Sequence, residues 1–221
     1  MKKENRVKKY AYGIGHKPGK PVRFIFMTAV LILSSSVQAQ KNEFKPDDLK
    51  KMGTFLSNFT ELSMYDFNTE ELLNTVEEGD IIRFGIRHNY SNNYHSRISN
   101  CKVEGCPHGS LVIDAKYVSE SIKKYFGVDF KDHRTIDNDR YRFFYDGKQY
   151  HFEGSDGEAV CHARVDEAYK KDDFIVMKGE LYYTEDKDDK LGTFEALTKP
   201  HTYNGKNTWA IINMKTDYYD E

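Results

Sequence analysis

Apolar residues recur along this chain at two different intervals, and the interval changes near Arg140. Upstream, PDDLKKMGTFLSNF places Leu49, Met52, Phe55 and Leu56 three and four positions apart, and IDAKYVSESIKKYFG repeats the pattern with Ile113, Tyr117, Val118, Ile122, Tyr125 and Phe126. That spacing gathers side chains on one face of a helix. Downstream, AVCHARVDEAY sets Ala159, Cys161, Ala163 and Val165 against His162, Arg164 and Asp166, the two-residue period of a strand. Helices followed by antiparallel strands make an α+β fold, and the amino-terminal helices are the elements available to cover the sheet.

Local signals set the element boundaries. Pro46 and Asp47 mark a helix start. Asn68 with Glu71 three positions later forms a capping-box pattern ahead of Leu72, Leu73 and Val76, and Gly79 closes that helix. GDIIRFGIRHNYSNN fits both periods and is read as a helix; Asp114 caps the next one and Gly127 stops it. YRFFYDGKQYHFE reads as a hairpin turning on Asp146 and Gly147, the two positions that require positive φ. With AVCHARVDEAY, DFIVMKGELYY, GTFEALTK and NTWAIINMK, the last two turning at Asn204 and Gly205, the pattern predicts a carboxy-terminal meander of about six antiparallel strands. In that meander Trp209, Ile211 and Asn213 share one face and Ala210, Ile212 and Met214 the other. The element order resembles cone-shaped α+β folds of the NTF2-like kind, and equally a plain helix-on-sheet sandwich.

Residues 1–39 are unlike the rest. Eight Lys or Arg against the lone Glu4 lead into the apolar run FIFMTAVLILSSSV, and Val37 and Ala39 in VQAQ fit a small-x-small cleavage site. The run is shorter than the roughly 20 residues that cross a hydrocarbon core, so it reads as a secretory signal peptide and not as a stable membrane anchor. Residues 40–221 then form a single domain, periplasmic or secreted. Of the chain's 33 basic and 35 acidic residues, 25 and 34 lie beyond residue 39, a net charge of −9. Phosphate contacts from Lys and Arg supply most nucleic-acid affinity, so this balance, with no dense basic stripe, excludes nucleic acid as a partner.

NCKVEGCPHG, residues 100–109, raises the question of chemistry. Cys101, Cys106 and His108 offer three soft ligands, but a closed zinc site takes four and the sequence has no second half-site. In an oxidising compartment the expected state is a disulfide between Cys101 and Cys106, a staple worth about 2 kcal/mol across so short a loop. Cys161 is left as a buried thiol, because His162 beside it on a strand faces the other way. Neither a metal nor a cofactor is expected.

HNYSNNYH is rich in groups that suit sugars, since rings stack on apolar sugar faces and amides read hydroxyls. His88, Tyr90 and Tyr94 from this stretch, with the single Trp209, are the candidate ligand-binding residues. His88 and His95, seven positions apart across roughly two helical turns, could hold a metal and could accept a carboxylate from Asp80 or Glu104, a weak signal. EGSDGEA, residues 153–159, and EDKDDK, residues 185–190, are acidic but lack the carboxylate spacing of a calcium loop. There is no Gly-rich phosphate loop, Gly-x-Ser-x-Gly elbow or His-Glu-x-x-His helix, so no catalytic residue is assigned.

YFGVDF, YDGKQYHFEGSDGEA and ARVDEAYKK, with the VQAQ that ends the leader, are similar to exported or lipid-anchored bacterial proteins over the carboxy-terminal half of the chain. The resemblance implies no activity and no site residue. The expected function is therefore that of an exported, non-catalytic binding protein, of the periplasmic immunity type with a protein partner, or alternatively a glycan- or small-ligand-binding module. An enzyme with an unrecognised site is the third reading. Exported material should begin at Gln40 or Lys41; amino-terminal sequencing checks this, and an intact leader on the exported chain would contradict it.

Overall fold

A computed structural model describes residues 44–154, 161–183 and 189–219. Four helices, α1 (Pro46–Thr60), α2 (Thr69–Asn74), α3 (Asp80–Arg97) and α4 (Ala115–Phe126), precede the long strands, as the change of period requires. Asn68 caps α2, its side chain accepting from the backbone N–H groups of Glu70 and Glu71 at 2.9 and 3.3 Å. Gly79 and Gly127 end their segments in the left-handed conformation. Asp114 precedes α4 without capping it through its side chain, and accepts a hydrogen bond from Gln149 instead. The stretch that fits both periods is α3. Ile81, Ile82, Phe84, Gly85, Ile86, His88 and Asn89 are all buried, so its apolar residues cover most of the helix and show no single period.

The strands are β1 (Phe67–Asn68), β2 (Ile98–Asn100), β3 (Leu111–Asp114), β4 (Ile136–Asp137), β5 (Arg142–Tyr145), β6 (Gln149–Phe152), β7 (Cys161–Lys171), β8 (Phe174–Tyr183), β9 (Lys190–Tyr203) and β10 (Lys206–Tyr218). They form two five-stranded antiparallel sheets, not one meander. The larger runs β1-β10-β9-β8-β7 and the smaller β2-β3-β6-β5-β4. The reason for the difference lies inside the helical half of the chain. Strands β2 and β3, only three and four residues long, take the β5–β6 hairpin as their partner, with Val112 opposite His151.

Turn chemistry separates the two predicted hairpins. Asn204 and Gly205 both adopt positive φ, 49° and 71°, as a two-residue turn demands. At the other turn Gly147 has φ 96° and Asp146 does not have positive φ. The Asp146 carboxylate accepts from the backbone N–H groups of Lys148 and Gln149 at 2.8 and 2.7 Å, so a side chain closes this turn. In β10 a register shift between Ile211 and Asn213 interrupts the alternation, which is why Ala210 and Ile211 are both fully buried.

Helix α1 lies on β7, where Thr60 donates to the Cys161 carbonyl at 2.7 Å and Ser57 Oγ accepts from the Ala163 N–H at 3.1 Å. Aromatic rings fill the centre of the core. Phe59 meets Phe55, Phe67, Phe84 and Phe126 at centroid distances of 5.5, 5.5, 5.0 and 5.5 Å, tying α1, α3 and α4 together. Among the described residues no helix is long and apolar enough to cross a membrane.

Helices α3 and α4 touch at Gly85. A Cβ there would lie 2.5 Å from Val118 Cγ1 and 3.1 Å from the Val118 carbonyl oxygen, and Val118 is fully buried. Helix propensity alone would make Gly85→Ala stabilising by about 1 kcal/mol. Overpacking against a neighbour that has nowhere to go outweighs that gain, so Gly85→Ala should lose about 1–3 kcal/mol in urea unfolding. A variant as stable as the parent would show that the two helices can separate freely.

Candidate functional site

A cleft of about 910 Å³ opens between the outer side of α3, the segment from β4 through β5, and the Pro107–His108–Gly109 end of the β2–β3 loop. Helical spacing puts Arg83 and Arg87 one turn apart on its wall. The Arg83 guanidinium lies 5.4 Å from the centre of the Tyr141 ring. Arg87 lies 5.8, 5.9 and 5.7 Å from the rings of Tyr90, Phe143 and Phe152, and donates to the Glu153 carbonyl at 3.1 Å. Burial, and secondarily the like charge of Arg83, hold the Arg87 pKa below its ordinary value. Arg140, also on the cleft, is neutralised by a two-pronged pair with Asp80 at 3.0 and 3.2 Å. No carboxylate among the described residues pairs with Arg83.

Beside the cleft, the β2–β3 loop folds back on itself. The Cys101 N–H donates to the Ser110 carbonyl at 2.8 Å and the Cys106 N–H to the Val103 carbonyl at 3.2 Å. Cys101 and Cys106, the expected disulfide pair, are free thiols in this structure, and each sulfur lies 3.5 Å from Nδ1 of His151 on β6. The other ring nitrogen, Nε2, is 3.2 Å from Asp146 Oδ2. The Cys106 thiol is held below its ordinary pKa, first by the backbone N–H of His108. Gln149 and Lys148 N–H groups, with His151, hold Asp146 below the usual carboxylate range. His108, the histidine the local sequence offered, instead stacks on Phe144 at 3.8 Å and lines the cleft. The histidine that meets the sulfurs is 45 and 50 positions away in sequence and arrives through the pairing of β3 with β6.

The four residues proposed from sequence as a ligand set do not converge. Tyr90 lines the cleft, and Tyr94 packs edge-on against it at 5.3 Å. Trp209 packs against Phe55 beside the core. His88 is buried, parallel to Phe84 at 5.5 Å and edge-on to Tyr125 at 4.7 Å. A departure from helical geometry at Asn93 separates it from the exposed His95. Residues 155–160 and 184–188, which carry most of the two acidic loops, lie outside the described residues.

Two arrangements that resemble nucleophile–base pairs do other work. Ser119 Oγ donates to the Phe130 carbonyl at 2.9 Å and so accepts from His133 Nε2 at 2.8 Å, which leaves His133 Nδ1 to accept from Tyr150 at 3.0 Å. In that tautomer the histidine has no lone pair facing the serine, and the chain of bonds serves as a strap. Burial pushes the Cys161 thiol up to about 11, and His162 points away to Glu61 at 3.3 Å, in accord with the opposite faces of a strand. Comparison with protein-family models, curated proteins and solved structures finds no match to this chain.

His88 gives a pH signature. Burial, then Lys124 and Arg97, depress its pKa from 6.5 to about 3, so the folded state holds it neutral. A depressed folded-state pKa contributes stability that is complete above about pH 6.5 and is lost as the pH falls towards 3, because the unfolded chain takes up the proton first. Urea midpoints should fall over that window, and His88→Asn should flatten the fall; an unchanged slope would show that His88 is not the group responsible.

Proposed function

We propose that this chain is a non-catalytic binding protein that takes a small anionic ligand, a carboxylate or phosphate ester with an apolar or aromatic portion, in the cleft beside α3. The observation that carries the reading is the placement of Arg83 and Arg87 on successive turns of one helix at the wall of a cavity of about 910 Å³. Two guanidiniums one turn apart repel, and an anion between them relieves that repulsion. The planar guanidinium fork matches carboxylate and phosphate oxygens, and the rings of Tyr90 and Tyr141 offer apolar surface to the rest of the ligand.

A small ligand is favoured over a protein partner by where the charge lies. On the open face of the larger sheet the ions neutralise one another, Lys178 with Glu195 at 2.9 Å and Lys190 with Glu180 at 3.0 Å, whereas Arg83 stands in a concavity with no carboxylate paired to it among the described residues. The basic and apolar leader supports a periplasmic or secreted setting. Register shifts in β7 and β10 bend the larger sheet and support the NTF2-like form of the fold.

Calorimetric titration with benzoate and phenyl phosphate, each beside neutral benzyl alcohol, tests the reading. The anions should bind and the alcohol should not. Arg83→Gln should weaken the anions by at least about ten-fold, or 1.4 kcal/mol, without moving the unfolding midpoint. Failure of both anions to bind, equal affinity for the alcohol, or an Arg83→Gln variant that binds as tightly as the parent would remove it.

A further inference from the structure

We propose that Cys101, Cys106 and His151 form a binding site for a thiophilic divalent cation, zinc above all, with Asp146 orienting the histidine. The sulfur atoms and Nδ1 lie within 4.8 Å of one another, and each sulfur is 3.5 Å from the nitrogen. Zinc bonds of about 2.3 Å to sulfur and about 2.1 Å to nitrogen, at the tetrahedral angle, put those donors about 3.6 Å apart. The two sulfur–nitrogen separations match an edge of a zinc tetrahedron. A disulfide would need the sulfurs about 2.05 Å apart and would give His151 no part.

The surroundings of the histidine belong to the same assignment. A metal-bound imidazole usually donates its second N–H to a carboxylate, which fixes tautomer and ring orientation. Here Nε2 faces Asp146 Oδ2 at 3.2 Å, leaving Nδ1 as the free lone pair between the sulfurs. Asp146 is itself held by the Lys148 and Gln149 N–H groups, and His151 is 9% exposed. A backbone N–H, that of His108, serves the Cys106 sulfur.

Two thiolates and one imidazole select zinc over magnesium or calcium, which prefer oxygen. Binding makes two metal–sulfur bonds and one metal–nitrogen bond, and the two thiol protons pass to solvent, so a neutral metal–dithiolate unit replaces two S–H groups. Three protein ligands leave the fourth position to water or an added ligand. The site holds the loop whose residues 107–109 form one side of the cleft, but its tests use no cleft ligand, so it stands or falls separately from the anion-binding reading.

The full-length chain, purified with reductant and without chelator, is to be challenged with zinc and examined by native mass spectrometry, and with cobalt(II) by absorption. One zinc per chain with displacement of two protons, and a near-ultraviolet thiolate-to-cobalt charge-transfer band, are expected. Cys106→Ser, on an exposed loop, should remove the band while leaving the circular dichroism unchanged. His151→Ala should weaken cobalt binding at least ten-fold. Asp146→Asn, acting through the histidine, should weaken it by ten- to a hundred-fold with the band retained. A chain that stays metal-free after the zinc challenge, one recovered two mass units lighter as the disulfide despite reductant, or a cobalt band that survives Cys106→Ser, would each overturn the proposal.

Discussion

The Phe59 and Phe84 rings stack 5.0 Å apart, and through that contact α3 is fixed in rotation against α1. A helix so fixed has no choice over its other side. Arg83, one position before Phe84, and Arg87, three positions after it, fall about 100° and 60° around the axis on the same side, so both emerge towards the cleft only while Phe84 stays buried. The magnitudes favour this arrangement. Burying a large apolar side chain contributes about 1.5–3 kcal/mol, and Ile81, Ile82, Phe84 and Ile86 are all fully buried on this helix. Like charges four apart on a helix cost only about 0.2–0.5 kcal/mol, far less than that sum, so the packing of the core decides where Arg83 and Arg87 stand.

The β5–β6 hairpin performs a second piece of positioning. Alternation along β5 sends Phe143 into the core and Phe144 to the other face, where its ring meets His108 and His151. Asp146 at the turn divides its oxygens: Oδ1 closes the turn by accepting from two backbone N–H groups, and Oδ2 faces His151. One carboxylate thus links the local geometry of a four-residue turn to the orientation of an imidazole five positions on. The same hairpin borders both the arginine cleft and the thiol cluster.

Much of this architecture is legible in sequence where a single local rule decides. The helix at Asn68 begins where its side chain can serve the next N–H groups, and the turn at Asn204–Gly205 adopts the conformation its residues permit. Legibility fails where a partner far along the chain decides. Strands β2 and β3 are too short to show a period, and only the hairpin that joins them reveals them as strands. Ala210 and Ile211 are buried side by side because a bulge interrupts the expected alternation. Arg83 and Arg87 are plain as helix residues, but their meaning depends on Tyr141 and Phe143, which the segment entering and starting β5 supplies. A signal for them exists in retrospect: two arginines four apart in a helix otherwise apolar on most sides.

The cysteines illustrate the same limit with more at stake. Inferring a disulfide from compartment assumes that the two sulfurs have only each other, and His151 removes that assumption. Energetics then do not choose between staple and metal. A short-loop disulfide is worth about 2 kcal/mol by loop entropy, and a cation present at a hundred times its dissociation constant stabilises the folded state by about 2.7 kcal/mol. Terms so close leave the decision to supply, of oxidant on one side and of metal on the other. What the fold itself contributes is the oriented imidazole, and that favours the metal, because a disulfide has no use for a ring whose far nitrogen is already engaged by a carboxylate.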